Sequence, residues 1–238
     1  VNLGVGGATV AGYKRAIEDG ADIIVKMDGD GQMDGDALPK LIHPILLGVA
    51  DYTKGNRFYN LNFLRPMPFI RLFGNSALSL LSKVSGGYWN IMDPTNGFTA
   101  VHRSVLMALD LDHVEKRYFF ESDMLFRLYL LRAVVWDVPM PARYGRERSN
   151  LAVYKVFFEF TVKHILRFFS RIFYTYFLRD FRIGSLTLVA GIILGTFGTI
   201  FGAYSWHHGA VMQTANTGGT VMLAALPFMV GLQLLLTF

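Results

Sequence analysis

From residue 183 to residue 238 the chain carries no Asp, Glu, Lys or Arg; all 23 Lys and Arg and all 18 Asp and Glu fall within residues 1–182. Ile183 to Trp206 supplies 24 uncharged residues and Gly218 to Phe238 another 21. Each meets the roughly 20 apolar residues that a helix needs to cross a bilayer core. Two transmembrane helices are therefore expected, joined by a polar loop from His207 to Thr217, with Trp206 at the height of an interfacial aromatic. Pro227 in the second helix is tolerable there, because neighbouring helices can satisfy the backbone groups it frees.

The flanks set an orientation. Residues 151–182 hold Lys155, Lys163, Arg167, Arg171, Arg179 and Arg182 against Glu159 and Asp180, a local net of +4, and the loop between the two apolar segments has no Lys or Arg. The positive-inside rule then places residues 1–182 in the cytoplasm, which for a bacterial cell means the inner membrane. The same cations, interleaved with Phe and Tyr such as Phe158, Phe169 and Tyr174, suit helices lying in the membrane interface beside anionic head groups. No basic face of nucleic-acid type stands out elsewhere, and zero cysteines exclude disulfides and thiolate metal sites. Self-association is left open.

Strand and helix signals alternate through the charged part. A helix is expected from Ala8 to Asp19, a strand from Asp22 to Met27, a helix from Gly35 to Gly48, a short strand after Asp51, and a helix from Pro66 to Val84. Beyond the Gly86-Gly87 break come Thr99-Ala100-Val101, a helix from Ser104 to Leu109, another around Glu121 to Leu131, and a strand from Ala133 to Val138. That alternation predicts an α/β domain with a mostly parallel sheet over residues 1–150, a basic aromatic segment over 151–182, and two membrane helices over 183–238.

The chemistry begins where the strand Ile23-Ile24-Val25 runs out into Asp28-Gly29-Asp30-Gly31-Gln32. Open α/β sheets bind ligands at the carboxyl ends of their strands. Two carboxylates one residue apart at such a tip read as hard oxygen ligands for a divalent cation. An EF-hand would require Gly where Met33 stands and Glu where Pro39 stands. Mg²⁺ or Mn²⁺, held by one or two carboxylates and completed by substrate phosphates, fits better. Gly4-x-Gly6-x-x-Thr9 fails as a dinucleotide fingerprint at its third glycine. Arg143, Arg146 and Arg148 cluster ahead of the membrane segments and could clamp a phosphate with their planar guanidinium forks.

Asp28-Gly29-Asp30-Gly31-Gln32-Met33-Asp34 after a strand, Gly55-Asn56-Arg57-Phe58, Asp93-Pro94-Thr95-Asn96-Gly97-Phe98, and Phe119-Phe120-Glu121 before Arg127 resemble, in order, the motifs of family 2 glycosyltransferases. The branch they are most similar to is the polyprenyl-phosphate sugar transferases of the dolichyl-phosphate mannose synthase type, over residues 2 to about 151. The resemblance implies a GT-A-like, Rossmann-related nucleotide-sugar domain. In it Asp28, Asp30 and Gln32 would grip a metal on the donor's diphosphate, and Asp93, Glu121 and Asp123 would be the candidate catalytic carboxylates. Arg57, Arg143, Arg146, Arg148 and Ser149 would contact substrate phosphates. The branch's Arg-x-x-Gly-x-Ser-Lys segment reads Tyr144-Gly145-Arg146-Glu147-Arg148-Ser149-Asn150 here, with Glu147 at the Gly position and Asn150 at the Lys. The resemblance also implies further strands ahead of Asn2 that hold the nucleotide, so residues 1–238 alone are expected not to transfer sugar. The activity implied is metal-dependent, inverting transfer of a hexose from a nucleotide sugar to a polyprenyl phosphate at the bilayer. The alternatives are a glycan or glycolipid hydroxyl as acceptor, or a catalytically idle membrane scaffold.

Overall fold

Ile24 and Val101 point to one face of a sheet, Ile23, Val25 and Ala100 to the other, and both faces are covered. The computed structural model that shows this describes residues 2–29, 31, 33–59, 69–140 and 153–238. Its elements run α1 (Gly4–Glu18), β1 (Ile23–Lys26), α2 (Leu38–Leu46), β2 (Tyr52–Asn56), α3 (Phe69–Gly86), β3 (Thr99–His102), α4 (Arg103–Ala108), α5 (Phe120–Leu130), β4 (Val135–Pro139), α6 (Val153–Phe173), α7 (Ile183–Met212) and α8 (Gly218–Thr237). Short 3₁₀ turns at Gly35–Ala37 and Leu111–His113 and a π-helical turn at Tyr174–Arg179 complete them.

On one face Tyr13 of α1, Leu106 of α4, and Phe120, Met124 and Leu128 of α5 close over Ile24, Tyr52, Val101 and Val135. On the other, Leu41 and Ile45 of α2 close over Phe98, Ala100 and Val138. The period-2 alternation of the strands produces these three layers, because each strand must bury both of its faces.

The sheet is mixed, which corrects the expectation of a mostly parallel one. Its order is β1-β3-β2-β4; β3 runs antiparallel to both neighbours, and only β2 and β4 are parallel. The reason lies in the loop before β3. Residues 93–98 sit at the carboxyl ends of β1 and β2, so the strand that leaves this loop can only run back the other way. β2 is buried at all five positions, although three of them are Lys54, Gly55 and Asn56.

The chain divides into two compact units, Val1–Arg171 and Ile172–Phe238. The first takes in most of α6, which packs on the helices over the sheet through Phe160 and His164. Their rings lie edge-on to Phe119 at 5.3 and 4.8 Å. The His164 Nδ1 shares a 2.7 Å hydrogen bond with the Ser85 hydroxyl, and burial holds its pKa down at about 4, so it stays neutral. Lys163, Arg167 and Arg171 turn inward as well, to Glu115, Asp123 and the Val84 carbonyl. These cations, expected at the lipid head groups, are engaged by protein. The outward face of α6 is an apolar stripe instead, with Phe158, Val162, Ile165, Leu166, Phe169 and Phe173 all exposed.

In the second unit α7 and α8 form a hairpin built on glycine. A Cβ on Gly198 would stand 2.6 Å from the Phe228 nitrogen, and one on Gly191 would stand 3.0 Å from the Gly231 carbonyl. Side-chain-free positions let the two backbones touch, the packing that holds apolar helices together where no hydrophobic drive between them exists. The first helix continues through His207-His208-Gly209 to Met212, further than the sequence suggests. Its 30 residues span about 45 Å, longer than the roughly 30 Å of a hydrocarbon core. The Thr214 N–H donating to the Gly209 carbonyl and the Thr217 hydroxyl capping Thr220 N close the turn.

Candidate active site

β1 ends in a lysine, and that lysine organises the site. Lys26 is 8% exposed, and its ammonium donates to Asp28 Oδ1 at 2.8 Å, to Glu121 Oε1 at 3.2 Å and to the Gly97 carbonyl at 3.3 Å. Three donors meet three oxygens from three loci far apart in sequence. Burial opposes the charge, but Glu121 and Asp28 outweigh it and raise the lysine's pKa above the ordinary value. Asp28 thus stands at the strand tip with its side chain 39% exposed, pinned through one oxygen.

Gly97 lies directly beneath that carboxylate. A Cβ there would overlap Asp28 Oδ2 and come within 2.6 Å of Lys26 Nζ. Only a residue without a side chain lets the aspartate loop and the 93–98 loop close on each other. The second loop is held from below by another buried lysine. Lys54, 0% exposed, donates to the Asn96 carbonyl, and desolvation pulls its pKa down to about 8. Asn96 in turn donates to the Gly55 carbonyl at 2.8 Å and accepts from Phe98 N at 3.0 Å. Asp137 receives Met92 N at 2.8 Å and Asn56 Nδ2 at 3.1 Å, and burial raises its pKa to about 6.

At the start of the same loop Asp93 is wholly buried and takes a two-point grip from Arg57, Nε to Oδ2 at 2.7 Å and Nη2 to Oδ1 at 3.0 Å. The Arg57 backbone N–H adds a third bond at 3.3 Å. Two candidates 36 residues apart in sequence are one ion pair. Arg57 keeps 31% of its side chain exposed and sits 5.8 Å over the Phe58 ring.

Glu121 and Asp123 part company. Two residues along a helix turn about 200°, so side chains at i and i+2 face opposite ways. Glu121 faces Lys26; Asp123, 0% exposed, faces Arg127 Nε at 2.8 Å, Glu115 N at 3.0 Å and Arg167 Nε of α6 at 2.8 Å. Its surroundings are those of a buried tie between α5 and α6 rather than of a base open to substrate. Asp123→Asn is expected to lower stability by about 2–3 kcal/mol. That is less than the roughly 3–5 kcal/mol for breaking a fully buried pair, because Arg127 and Arg167 keep 16% and 29% of their side chains exposed. A fall in the thermal midpoint together with faster proteolysis in α6 checks this; lost activity at unchanged stability would instead make Asp123 part of the chemistry.

Asp30, Gln32, Arg143, Arg146, Arg148 and Ser149 lie outside the described residues. Among the described residues no cluster of three or more His, Cys, Asp or Glu could enclose a metal by itself. The donor set nevertheless fits a hard divalent cation in an open site. A half-exposed carboxylate stands at a strand tip over a glycine, where a side chain would fill the space, and such ions take one or two carboxylates and leave positions for phosphate oxygens. The residues missed in the sequence are Lys26, Lys54 and Asp137. The signal was there in part: Lys26 interrupts a β-branched run, and Lys54 sits mid-strand between Thr53 and Gly55.

With this geometry in hand, likeness to known proteins becomes interpretable. The sequence model described as glycosyl transferase family 2 matches residues 1–110. A UDP-N-acetylglucosamine–dolichyl-phosphate N-acetylglucosaminyltransferase of Methanococcus voltae is 34% identical over 162 residues, 66% of this chain and 64% of that protein. An undecaprenyl-phosphate mannosyltransferase of Micrococcus luteus is 35% identical over 138 residues, 58% of this chain and 56% of that protein. The chain thus spans between about half and two thirds of these two relatives. Among solved structures, glucosyl-3-phosphoglycerate synthase of Mycobacterium tuberculosis in complex with Mn²⁺, UDP and phosphoglyceric acid superposes with a TM-score of 0.51 at 20% identity, over 71% of this chain and 54% of that one. At that identity the likeness speaks for the fold, a mixed sheet between helices of GT-A type. Residues 1–110 of this chain are a glycosyltransferase family 2 domain.

Proposed function

We propose that this chain belongs to a membrane-anchored, divalent-metal-dependent inverting glycosyltransferase that moves a hexose from a nucleotide sugar to a polyprenyl phosphate on the cytoplasmic leaflet. The observation that carries the reading is the convergence of Asp28, Gly97 and Glu121 on one ammonium, at the end of the sheet where the Arg57–Asp93 pair also lies. The relatives named above act on dolichyl and undecaprenyl phosphates, and two helices of 30 and 20 residues are apolar enough to cross a membrane. The exposed apolar stripe of α6 supports contact with the bilayer surface.

Asp28, with Asp30 and Gln32, would hold Mg²⁺ or Mn²⁺, the kind of ion that the M. tuberculosis synthase binds beside UDP. When bound it supplies positive charge against the diphosphate leaving group, which then needs no protonation. The protein's own groups do the rest. Lys26 fixes the orientation of Asp28, and Gly97 brings the second loop against it. Arg57, braced by Asp93, presents a guanidinium to an acceptor phosphate; Arg143, Arg146, Arg148 and Ser149 are proposed to join it. An acceptor phosphate is largely dianionic near neutral pH, its second pKa being about 6. It therefore attacks the anomeric carbon without a strong base: the new C–O bond forms on the face opposite the breaking sugar–diphosphate bond, and configuration inverts. Glu121 stays on Lys26 as the remaining carboxylate, while Asp123 holds α6.

Calorimetric titration of the full-length protein with Mn²⁺ and nucleoside diphosphates tests the reading. Metal-dependent diphosphate binding that Asp28→Asn removes is expected; binding of neither would favour a catalytically idle scaffold.

A further inference from the structure

The three ligands of Lys26 are what a divalent cation at this strand tip would itself seek: an aspartate oxygen, a glutamate oxygen and a backbone carbonyl, at 2.8, 3.2 and 3.3 Å. We propose that Lys26 is a positioning residue that sets the cation affinity of the aspartate loop, its ammonium competing with a free divalent ion for Asp28 until the donor's diphosphate supplies further oxygens.

Lys26 and Glu121 keep only 7% and 13% of their side chains exposed, and Asp28 keeps 39%. The three groups sum to one negative charge, and the positive member lies between the other two. Mobile salt does not reach such a pair well, so the interaction persists under ordinary ionic strength. The glycine beneath matters too, because Gly97 leaves the space in which the lysine and Asp28 meet. A resting loop arranged this way holds a lone cation loosely. The combination of metal with diphosphate brings oxygens that Lys26 does not contest, and that combination is favoured over metal alone. Premature loading, with metal but no donor, is thereby suppressed.

The inference depends on the metal-binding reading above, and the experiment separates the two. Mn²⁺ binding to the full-length protein is followed by electron paramagnetic resonance, with Mn²⁺ alone and then with UDP or GDP, for wild type and for Lys26→Met, Lys26→Arg, Glu121→Gln and Asp28→Asn. Lys26→Met removes the competitor and leaves two carboxylates facing each other, so Mn²⁺ alone is expected to bind at least about tenfold tighter. That corresponds to the loss of about 1.4 kcal/mol of opposition. Glu121→Gln leaves Asp28 as the ammonium's one carboxylate partner and is expected to weaken Mn²⁺ binding several-fold. Lys26→Arg keeps the charge and should restore wild-type affinity to within about threefold. The differences should shrink once the diphosphate is present.

General loosening of the fold would weaken binding in every variant, so opposite signs for Lys26→Met and Glu121→Gln are diagnostic. Affinity unchanged or weakened in a folded Lys26→Met variant, with Asp28-dependent Mn²⁺ binding intact, overturns the inference and leaves the metal reading standing. If Lys26→Met does not fold, wild-type or tighter Mn²⁺ affinity in Glu121→Gln overturns it in the same way. Absence of any Mn²⁺ signal that Asp28→Asn removes, with or without diphosphate, overturns both.

Discussion

Gly97→Ala is expected to reduce kcat/KM by on the order of 10²-fold in a protein that still folds. The added methyl group would overlap Asp28 Oδ2 and stand 2.6 Å from Lys26 Nζ and 3.1 Å from Asp28 Cγ. Something must move by about an ångström. The lysine cannot swing out freely, being 8% exposed and tied to Glu121 and the Gly97 carbonyl. The cheapest relief is displacement of the half-exposed Asp28, and a misplacement of that size at a reacting centre costs about 10²-fold in rate. Stability should fall little, since the displaced group faces solvent. Gly97→Val should be more severe on both counts. Steady-state transfer assays beside thermal denaturation decide it; wild-type kcat/KM in Gly97→Ala would mean that the two loops do not close on each other during turnover.

Arg57→Ala should be the most damaging single change to the second loop. It strips the guanidinium from a carboxylate that is 0% exposed, and breaking a buried pair in this way costs about 3–5 kcal/mol. The partly exposed Arg57 brings the expectation to the lower end of that range. The loss propagates, because the Asp93 turn leads straight into Asn96 and Gly97, whose carbonyls the two buried lysines hold. Arg57→Lys keeps a charge but loses the two-point fork, and should retain more stability than Arg57→Ala while raising KM for a phosphate acceptor. Asp93→Asn breaks the same pair from the carboxylate side and should cost a similar ~3 kcal/mol, with transfer falling in step with stability whichever acceptor is offered. Chemical denaturation with product analysis measures each; an Arg57→Ala protein as stable as wild type would contradict the account of the pair.

The apolar hairpin, two helices long and apolar enough to cross a membrane, was the most legible part of the chain, because its 56 residues carry no Asp, Glu, Lys or Arg. Its glycine seam was less so: Gly191, Gly198 and Gly231 acquire meaning only when the two helices face each other. Within the charged domain strands were expected at β1, β2 and β4, while Thr99-Ala100-Val101 was placed only as the segment after a turn, and sheet direction was missed there, at β3. Period 2 says which face a side chain takes and nothing of which way its neighbour runs. Motif spacing brought Asp28, Arg57, Asp93 and Glu121 onto the page as separate candidates. Pairing them needed the fold, since Lys26 and Glu121 are 95 residues apart and Arg57 and Asp93 are 36. Asp123 shows the opposite case: the resemblance set it beside Glu121 as a candidate carboxylate, and helical geometry turns the two apart. The inward lysines were overlooked because a lone charge in a strand usually points to water; here each has backbone carbonyl or carboxylate oxygens to meet.

The most direct test of the whole account is transfer itself. Full-length protein is reconstituted in vesicles containing undecaprenyl phosphate and supplied with Mn²⁺ and a panel of radiolabelled nucleotide sugars, and label is counted in the organic extract. The account predicts label from one donor passing into a lipid-extractable, acid-labile sugar phosphate, lost on chelation of the metal and in Asp28→Asn. Lipid labelling that survives both treatments, or none from any donor by a protein that binds metal and diphosphate, would contradict it.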